Sequence, residues 1–288
     1  MHPRYVPIDP ELLKRLYVDE RLTAEEIAAQ LGCGAITILR RLRRLGIPAR
    51  PRGPRLTRPR APAAWSAGLA WVVGLIATDG SLSIDGRHLC VTSKDQDMLE
   101  SVRDCLGLEN TITRASNSPN GSCYRLQWGN RVFYRWLLEI GLMPAKSLRL
   151  GPIAVPDILF RDFVRGCIDG DGSIVTYVDR YNTFKKPEYV YTRLFVSIVS
   201  ASPRFLEWMR ATVSRLMGLS GSLIVRRCPP HNDVWCLKYA KRESLALLRW
   251  IYYDPAVLSL RRKRAIAADF LVPRHPLPRR GPGRPVVT

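Results

Sequence analysis

The chain has 288 residues, 46% of them hydrophobic, which is enough for a buried core and more than one domain. Its 45 Lys and Arg against 25 Asp and Glu give a formal charge of +20, which argues against a mixed solubility surface and for a polyanionic partner, nucleic acid first and an acidic membrane surface second. No apolar run of ~18 residues is present to span a bilayer, "MHPRYVPIDPELLKR" lacks the apolar core of a signal peptide, and seven cysteines without a CxxC pair argue against a zinc ribbon or a disulfide scaffold, so a cytoplasmic protein with reduced, mostly core thiols is expected.

The first helix is expected over about residues 10–17. In "LTAEEIAAQLGCGAITILRRLRRLGI", Thr23 and Glu26 form a capping box that starts a second helix. Ile27, Ala28 and Leu31 are its apolar stripe, and Gly32 is placed to end it in a left-handed turn. A third helix follows, with Ile36, Leu39, Leu42 and Leu45 at helical spacing and Arg40, Arg41, Arg43 and Arg44 on its other face. With Ala28 small at the crossing and Gly32 in the turn, residues 1–47 resemble a helix-turn-helix DNA-binding module, Thr37, Arg40 and Arg41 facing the major groove. A plain helical hairpin with a solvated basic face has the same pattern. Residues 48–64 follow as an Arg/Pro-rich linker, in which proline denies both helix and hydrogen-bonded strand. Arg50, Arg52, Arg55, Arg58 and Arg60 either lie along DNA phosphates or belong to a bare spacer.

From residue 65 the pattern is internally repeated. "WVVGLIATDGSLS" and "FVRGCIDGDGSIV" each carry a helix-like run that ends in Asp-Gly, and Gly-x-x-x-x-Asp-Gly-Ser aligns Gly74 with Gly166 and Asp79 with Asp171. The C-terminal end of a helix is already negative, so a carboxylate there is unwelcome unless a cation joins it and the nearby carbonyls. After each run come strands at 81–84 and 88–93, or 173–179 and 190–200, then a helix at 96–106 or 204–217. Strands at 111–115 and 123–128, or 222–227 and 234–239, precede a closing helix at 131–140 or 242–252. The longer second copy places its extra residues in "YVDRYNTFKKPEYV", read as a hairpin loop. The result is an α+β chain with two pseudo-symmetric αββαββα repeats, 65–150 and 151–272, after a small all-α domain and before a basic tail at 273–288. In "YRLQW" and "WCLKY" apolar residues alternate with Arg125, Gln127 and Lys238, so one sheet face is buried and the other polar. That polar face is either an ordinary wet surface or a DNA contact.

The repeated motifs "VVGLIATDG" and "VRGCIDGDG", the sheet pattern after each, and "GLMPAKSLRL" together resemble a LAGLIDADG (dodecapeptide, DOD-type) homing endonuclease in its two-motif, single-chain form. Ala77 stands where the motif has an earlier aspartate, and Arg165 and Cys167 are unusual inside the second motif. The resemblance implies saddle-shaped antiparallel sheets over DNA, with the two acids, Asp79 and Asp171, each serving cleavage of one strand. It also implies that Lys146 and Lys263 approach the active site, the second being one of four basic residues at 261–264. Gly74 and Gly166 are expected to let the motif helices meet nearly backbone to backbone. Asp79, Asp171 and the carbonyls of Gly80 and Gly172 are a hard-oxygen set suited to Mg²⁺, which assists phosphodiester hydrolysis. An EF-hand reading of "DGDGS" fails, because Ile174 stands at the glycine position and Arg180 at the glutamate position. The expected partner is double-stranded DNA with a long asymmetric site, bound by a monomer, with no membrane involved. A non-cleaving DNA-binding regulator or an RNA-splicing maturase on the same scaffold is the alternative.

Overall fold

The structure is a computed structural model that describes residues 8–20, 22–48, 64–115, 123–227, 229–230 and 232–271. The chain divides into two compact units, Met1–Arg58 and Pro59–Thr288. Among the described residues, no helix is long and apolar enough to cross a membrane.

The first unit packs three short helices around Leu13, Leu16, Ile27, Ala28, Ile38 and Leu42. Helix α1 (Pro10–Lys14) starts on the Asp9 side chain and continues as a wider turn through Arg15–Asp19. Helix α2 (Ala24–Leu31) has both halves of the Thr23–Glu26 capping box, and Gly32 ends it at φ 64°. Helix α3 (Ala35–Arg44) differs from expectation in its rotation. It buries Ile38 and Leu42, while Ile36, Leu39 and Leu45 are exposed. A strict spacing of three drifts off one face, because the helix repeats every ~3.6 residues. Arg41 is also displaced from the expected outward set: it is half-buried, and its Nη1 donates to the Ile8 carbonyl at 3.1 Å.

The second unit contains the repeat. Helix α4 (Ala67–Thr78) is capped by Ser66 and buries every residue from Leu69 to Ala77, as an all-round apolar helix must. The first sheet comprises β1 (Gly80–Leu82), β2 (His88–Ser93), β3 (Thr113–Arg114) and β4 (Tyr124–Gly129), in the antiparallel order β1-β2-β4-β3. Helices α5 (Gln96–Cys105) and α6 (Arg131–Glu139) cover its inner face. Helix α7 (Phe160–Asp169) opens the second repeat. Strands β5 (Gly172–Asp179), β6 (Tyr191–Ser200), β7 (Ser222–Arg226) and β8 (Val234–Tyr239) follow the same order, β5-β6-β8-β7. Helices α8 (Pro203–Met217) and α9 (Lys241–Ile251) cover the inner face of this sheet. The extra residues of the second repeat form the β5–β6 connection, as expected.

A last helix, α10 (Arg261–Leu271), was not foreseen; a run of four basic residues reads as an exposed segment rather than a helix start. Its counterpart in the first repeat is a single tight turn at Lys146–Leu148. One continuous core joins both repeats, from Leu69 to Phe270. The cysteines depart from expectation as well. Of the described ones only Cys167 is buried, while Cys33, Cys90, Cys105, Cys123 and Cys236 are half-buried; all are free thiols.

Candidate active site

The two motif helices α4 and α7 meet as Gly74 and Gly166 require. A Cβ on Gly74 would lie 2.3 Å from the Phe163 carbonyl oxygen, and one on Gly166 would lie 2.1 Å from that of Trp71. No side chain fits at either position without moving backbone. The Cys167 thiol donates across the seam to the Gly74 carbonyl at 3.6 Å. Trp71 Nε1 donates to Asp169 Oδ2 at 2.8 Å, another bond between the two helices.

This seam brings the two helix ends together. Asp79 is the C-cap of α4, and Asp171 lies two residues beyond α7. Among the described residues, neither carboxylate accepts a hydrogen bond. Burial first, then the negative charge of Asp171, raises the Asp79 carboxyl to about 6, against the pull of Lys263, Lys146 and Arg262. Burial raises Asp171 as well, opposed by Lys146 ahead of Lys263. Each acid therefore feels the lysine of the other repeat more strongly than its own. The surface shows the same crossing. Asp171 shares a small cleft with Thr78, Lys146 and Ser200. Asp79 shares one with Asp169, Gly170, Lys94, Asp95 and Arg262.

The carbonyls at the helix ends are held by the two lysines. Lys146 is buried, and its Nζ donates to the carbonyls of Gly80 at 2.5 Å and Thr78 at 3.3 Å. Lys263 is also buried, and its Nζ donates to Ile168, Asp169, Gly170 and Gly172 at 2.6, 2.8, 2.8 and 2.7 Å. The helix-end conflict read from the sequence thus has an internal cation at each end. Burial lowers both lysines, Lys263 to about 8, while the nearby aspartates resist the shift. The geometry also separates Lys263 from its basic neighbours. Arg262 pairs with Asp95 at 3.0 Å, Arg261 with Asp97 at 3.5 Å, and Arg264 binds the Val257 and Asp254 carbonyls.

Among the described residues, no three His, Cys, Asp or Glu side chains converge on one point. The donor set nevertheless suits a hard divalent cation. It consists of two carboxylates without a hydrogen-bond partner among the described residues, both raised by burial and Asp79 also by the charge of Asp171, with carbonyl oxygens beside them. The Gly80 and Gly172 carbonyls already accept from lysine, so each would offer a metal only its second lone pair.

Three residues of this site were missed in the sequence. Asp169 stands where the first motif has Ala77; it is buried, accepts from Trp71 and from the Leu260 N–H at 3.0 Å, and leaves its Oδ1 without a partner. Gly170 packs so tightly that a Cβ would lie 2.1 Å from Thr78 Oγ1 and 3.2 Å from Asp79 Oδ2. Arg165 is buried and ties α7 to the chain before α10. Its guanidinium donates to Asp162 at 2.6 Å, to the Ile251 carbonyl at 2.6 Å and to the Leu258 carbonyl at 2.7 Å. The signal for all three was their departure from the first motif.

The sheet residues fall on the outer faces, away from the helices. Gln127 pairs with Cys90 and Arg125 with Thr92 on the first sheet, and Lys238 with Ser197 on the second. In the first unit Thr37 and Arg40 are exposed. Arg50, Arg52, Arg55, Arg58 and Arg60 lie outside the described residues.

Comparison with known proteins adds the following. No curated protein matches the chain. Among solved structures, it is similar to the I-LtrWI LAGLIDADG homing endonuclease bound to target DNA, with 11% identity and a TM-score of 0.49 over 71% of this chain and 89% of that one. It is similar to the meganuclease I-SmaMI bound to uncleaveable DNA, with 13% identity and a TM-score of 0.48 over 74% of this chain and 91% of that one. It is also similar to full-length DUF199/WhiA from Thermatoga maritima, with 13% identity and a TM-score of 0.44 over 73% of this chain and 62% of that one. Residues 67–141, which hold the first motif helix and its sheet, match the family model of the LAGLIDADG-like domain.

Proposed function

We propose that the protein is a site-specific double-strand DNA endonuclease of the LAGLIDADG homing type, acting as a monomer on a long asymmetric site. The observation that carries this reading is the pair Asp79 and Asp171, two carboxylates without hydrogen-bond partners among the described residues, brought together by helices that touch at Gly74 and Gly166. A fold that keeps two such acids side by side opposes its own electrostatics, which is the mark of a functional site. In this reading Asp79 and Asp171 hold Mg²⁺ with the second lone pairs of the Gly80 and Gly172 carbonyls. When bound, the metal supplies Lewis acidity and stabilises charge building on the phosphate oxygens.

The residues of the chain have separate tasks. Lys146 and Lys263 hold the helix-end carbonyls, so that the two acids stand at fixed positions over the scissile strands. Arg125, Gln127 and Lys238 meet the duplex from the outer sheet faces. Residues 1–47 act as a helix-turn-helix in which Thr37 and Arg40 face the major groove. Arg41, occupied with Ile8, supports that module rather than reading bases. The arginines of residues 48–64 run along phosphates.

One observation favours a second reading. The lysine cages already neutralise both helix ends without a metal, as a non-cleaving DNA-binding regulator or a maturase would need. The discriminating experiment is incubation of a plasmid library with Mg²⁺, comparing the natural protein with the Asp79→Asn, Asp171→Asn double variant. Linear product from the natural protein alone supports the endonuclease. Specific retention of DNA with no linear product from either supports the regulator.

A further inference from the structure

The two repeats share a topology, but their open sheet faces differ in chemistry. On the first sheet, register places Ser81, Cys90 and Gln127 in one row and Thr92, Arg125 and Thr113 in the next. These rows are polar apart from one thiol. On the second sheet the row equivalent to that of Gln127 is also polar, Ser173, Ser197, Lys238 and Ser222, but apolar pairs flank it: Val175 opposite Phe195 on one side and, where the first sheet has Thr92, Arg125 and Thr113, Val199 opposite Cys236 and Ile224 on the other. Tyr177 lies two residues beyond Val175 on the same side. Val175, Tyr177 and Ile224 are 46%, 50% and 50% exposed. Apolar side chains left open on one of two related faces mark a contact surface.

We infer that the second sheet reads part of its half of the DNA site through thymine methyl groups, a mode of reading that the polar rows of the first sheet do not offer. This rests on the proposal that the outer sheet faces meet duplex DNA. Three observations select this occupant. Lys238 stands in the polar row between the apolar pairs, its Nζ 3.9 Å from the Phe195 ring centre, so the patch carries a cation suited to a phosphate-rich partner. Where the second sheet has Cys236, the first has Arg125, a side chain that pairs with guanine edges. The rings themselves are engaged: Tyr177 and Phe195 stack on each other at 6.3 Å, and Lys238 covers Phe195. Ring faces so occupied do not suit stacking with unpaired bases, which leaves ring edges and methyl groups, the kind of surface that packs against the C5-methyl of thymine.

The test uses the full chain. Preferred sites are selected from a random duplex pool, and Arg125→Ala and Gln127→Ala identify the half-site under the first sheet by the positions they relax. Thymine is then replaced by uracil in one half at a time, which removes only methyl groups. The expected result is a loss of affinity of about fourfold for each contacted methyl in the half under the second sheet, with little change in the other half. Val175→Ser with Phe195→Ser should abolish that methyl effect while leaving the first half-site preference intact; Ile224→Ser, at the sheet edge, is the milder variant should the double one fold poorly. Binding that is indifferent to uracil, or equally sensitive in both halves, overturns this inference and leaves the DNA-reading proposal standing. Failure of the pool to yield any preferred duplex overturns both. A dimer in sedimentation that these variants convert to monomer would assign the patch to a second copy of the chain, and also overturns the inference.

Discussion

Gly74 and Gly166 face each other across the motif-helix seam. A Cβ on the first would lie 3.0 Å from the Cα of the second, and a Cβ on the second 3.1 Å from the Cα of the first. The nearest atoms are backbone, so neither helix can yield by turning a side chain. Gly74→Ala and Gly166→Ala should each destabilise the protein by ~1–3 kcal/mol or more, lowering the melting temperature by ~2–4 °C per kcal/mol. Gly151→Ala is the control, because a Cβ there meets only Arg204 at an ordinary 3.7 Å. Equal melting temperatures for all three variants would show that the helices do not pack at this distance.

Asp79, half-buried, and Asp171, more exposed, repel each other and accept no hydrogen bond among the described residues. Asp79→Asn or Asp171→Asn removes that repulsion and keeps the shape. The expected outcome is loss of double-strand cleavage with DNA affinity retained and, in chelator, a melting temperature equal to or above that of the natural protein. A marked loss of stability would mean that the carboxylates serve the fold rather than the chemistry.

How far these residues were legible in the sequence depends on whether their cause is local. Gly74, Gly166, Asp79 and Asp171 were found because the same spacing occurs twice, and a close helix approach leaves a local trace as glycine. The alternation of Arg125, Gln127 and Lys238 was legible for the same reason, since a strand has a period of two. What stayed hidden depends on distant chain. The four carbonyls around Lys263 come from a segment more than ninety residues away. Arg165 looked like an intrusion in its motif because its acceptors, Ile251 and Leu258, belong to another part of the repeat. The rotation of α3 was misread because Ile36, Leu39, Leu42 and Leu45 suggested one face, and only packing against α2 decided between that face and Ile38 with Leu42.

The unequal lysine cages give unequal consequences. Lys263 Nζ lies within hydrogen-bond distance of four carbonyls, which share its three N–H donors, and Lys146 Nζ of two. Each buried acceptor left without a donor costs ~1–3 kcal/mol where water cannot reach it. Lys263→Met should therefore destabilise the protein more than Lys146→Met. Chemical denaturation of both variants checks the order, and a reversed order would contradict the cage as described.

Arg165 and Asp162 form a buried ion pair at 2.6 Å, and Tyr253 donates to the same carboxylate at 3.1 Å. Arg165→Met leaves Asp162 buried without its main partner and frees the Ile251 and Leu258 carbonyls. A loss of ~3–5 kcal/mol is expected. Arg165→Lys should recover little of it, because the three acceptors are met by three different nitrogens of the guanidinium, and lysine offers one. Full rescue by lysine would show that charge alone, and not the guanidinium fork, holds this segment.

The last prediction separates the two units. All the residues placed in the cleavage site lie after residue 64, and the core of the second unit is continuous from Leu69 to Phe270 without any contribution from the first. A chain beginning at Ala64 should therefore fold and, at low salt, still cut the site that the full chain cuts. Its footprint should be shorter, because Thr37 and Arg40 no longer reach the groove. Its affinity should also respond more gently to salt. Each phosphate neutralised by arginine contributes a slope of about −0.9 in log K against log salt, so removing Arg50, Arg52, Arg55, Arg58 and Arg60 flattens the slope by the number of those residues that touch phosphate. Footprinting and a salt titration of both chains provide the measurement. An unchanged footprint and slope would exclude the first unit and the linker from DNA contact. A shortened chain that folds and binds but never cuts would mean that cleavage depends on residues before Ala64, and the proposed division between them would be wrong.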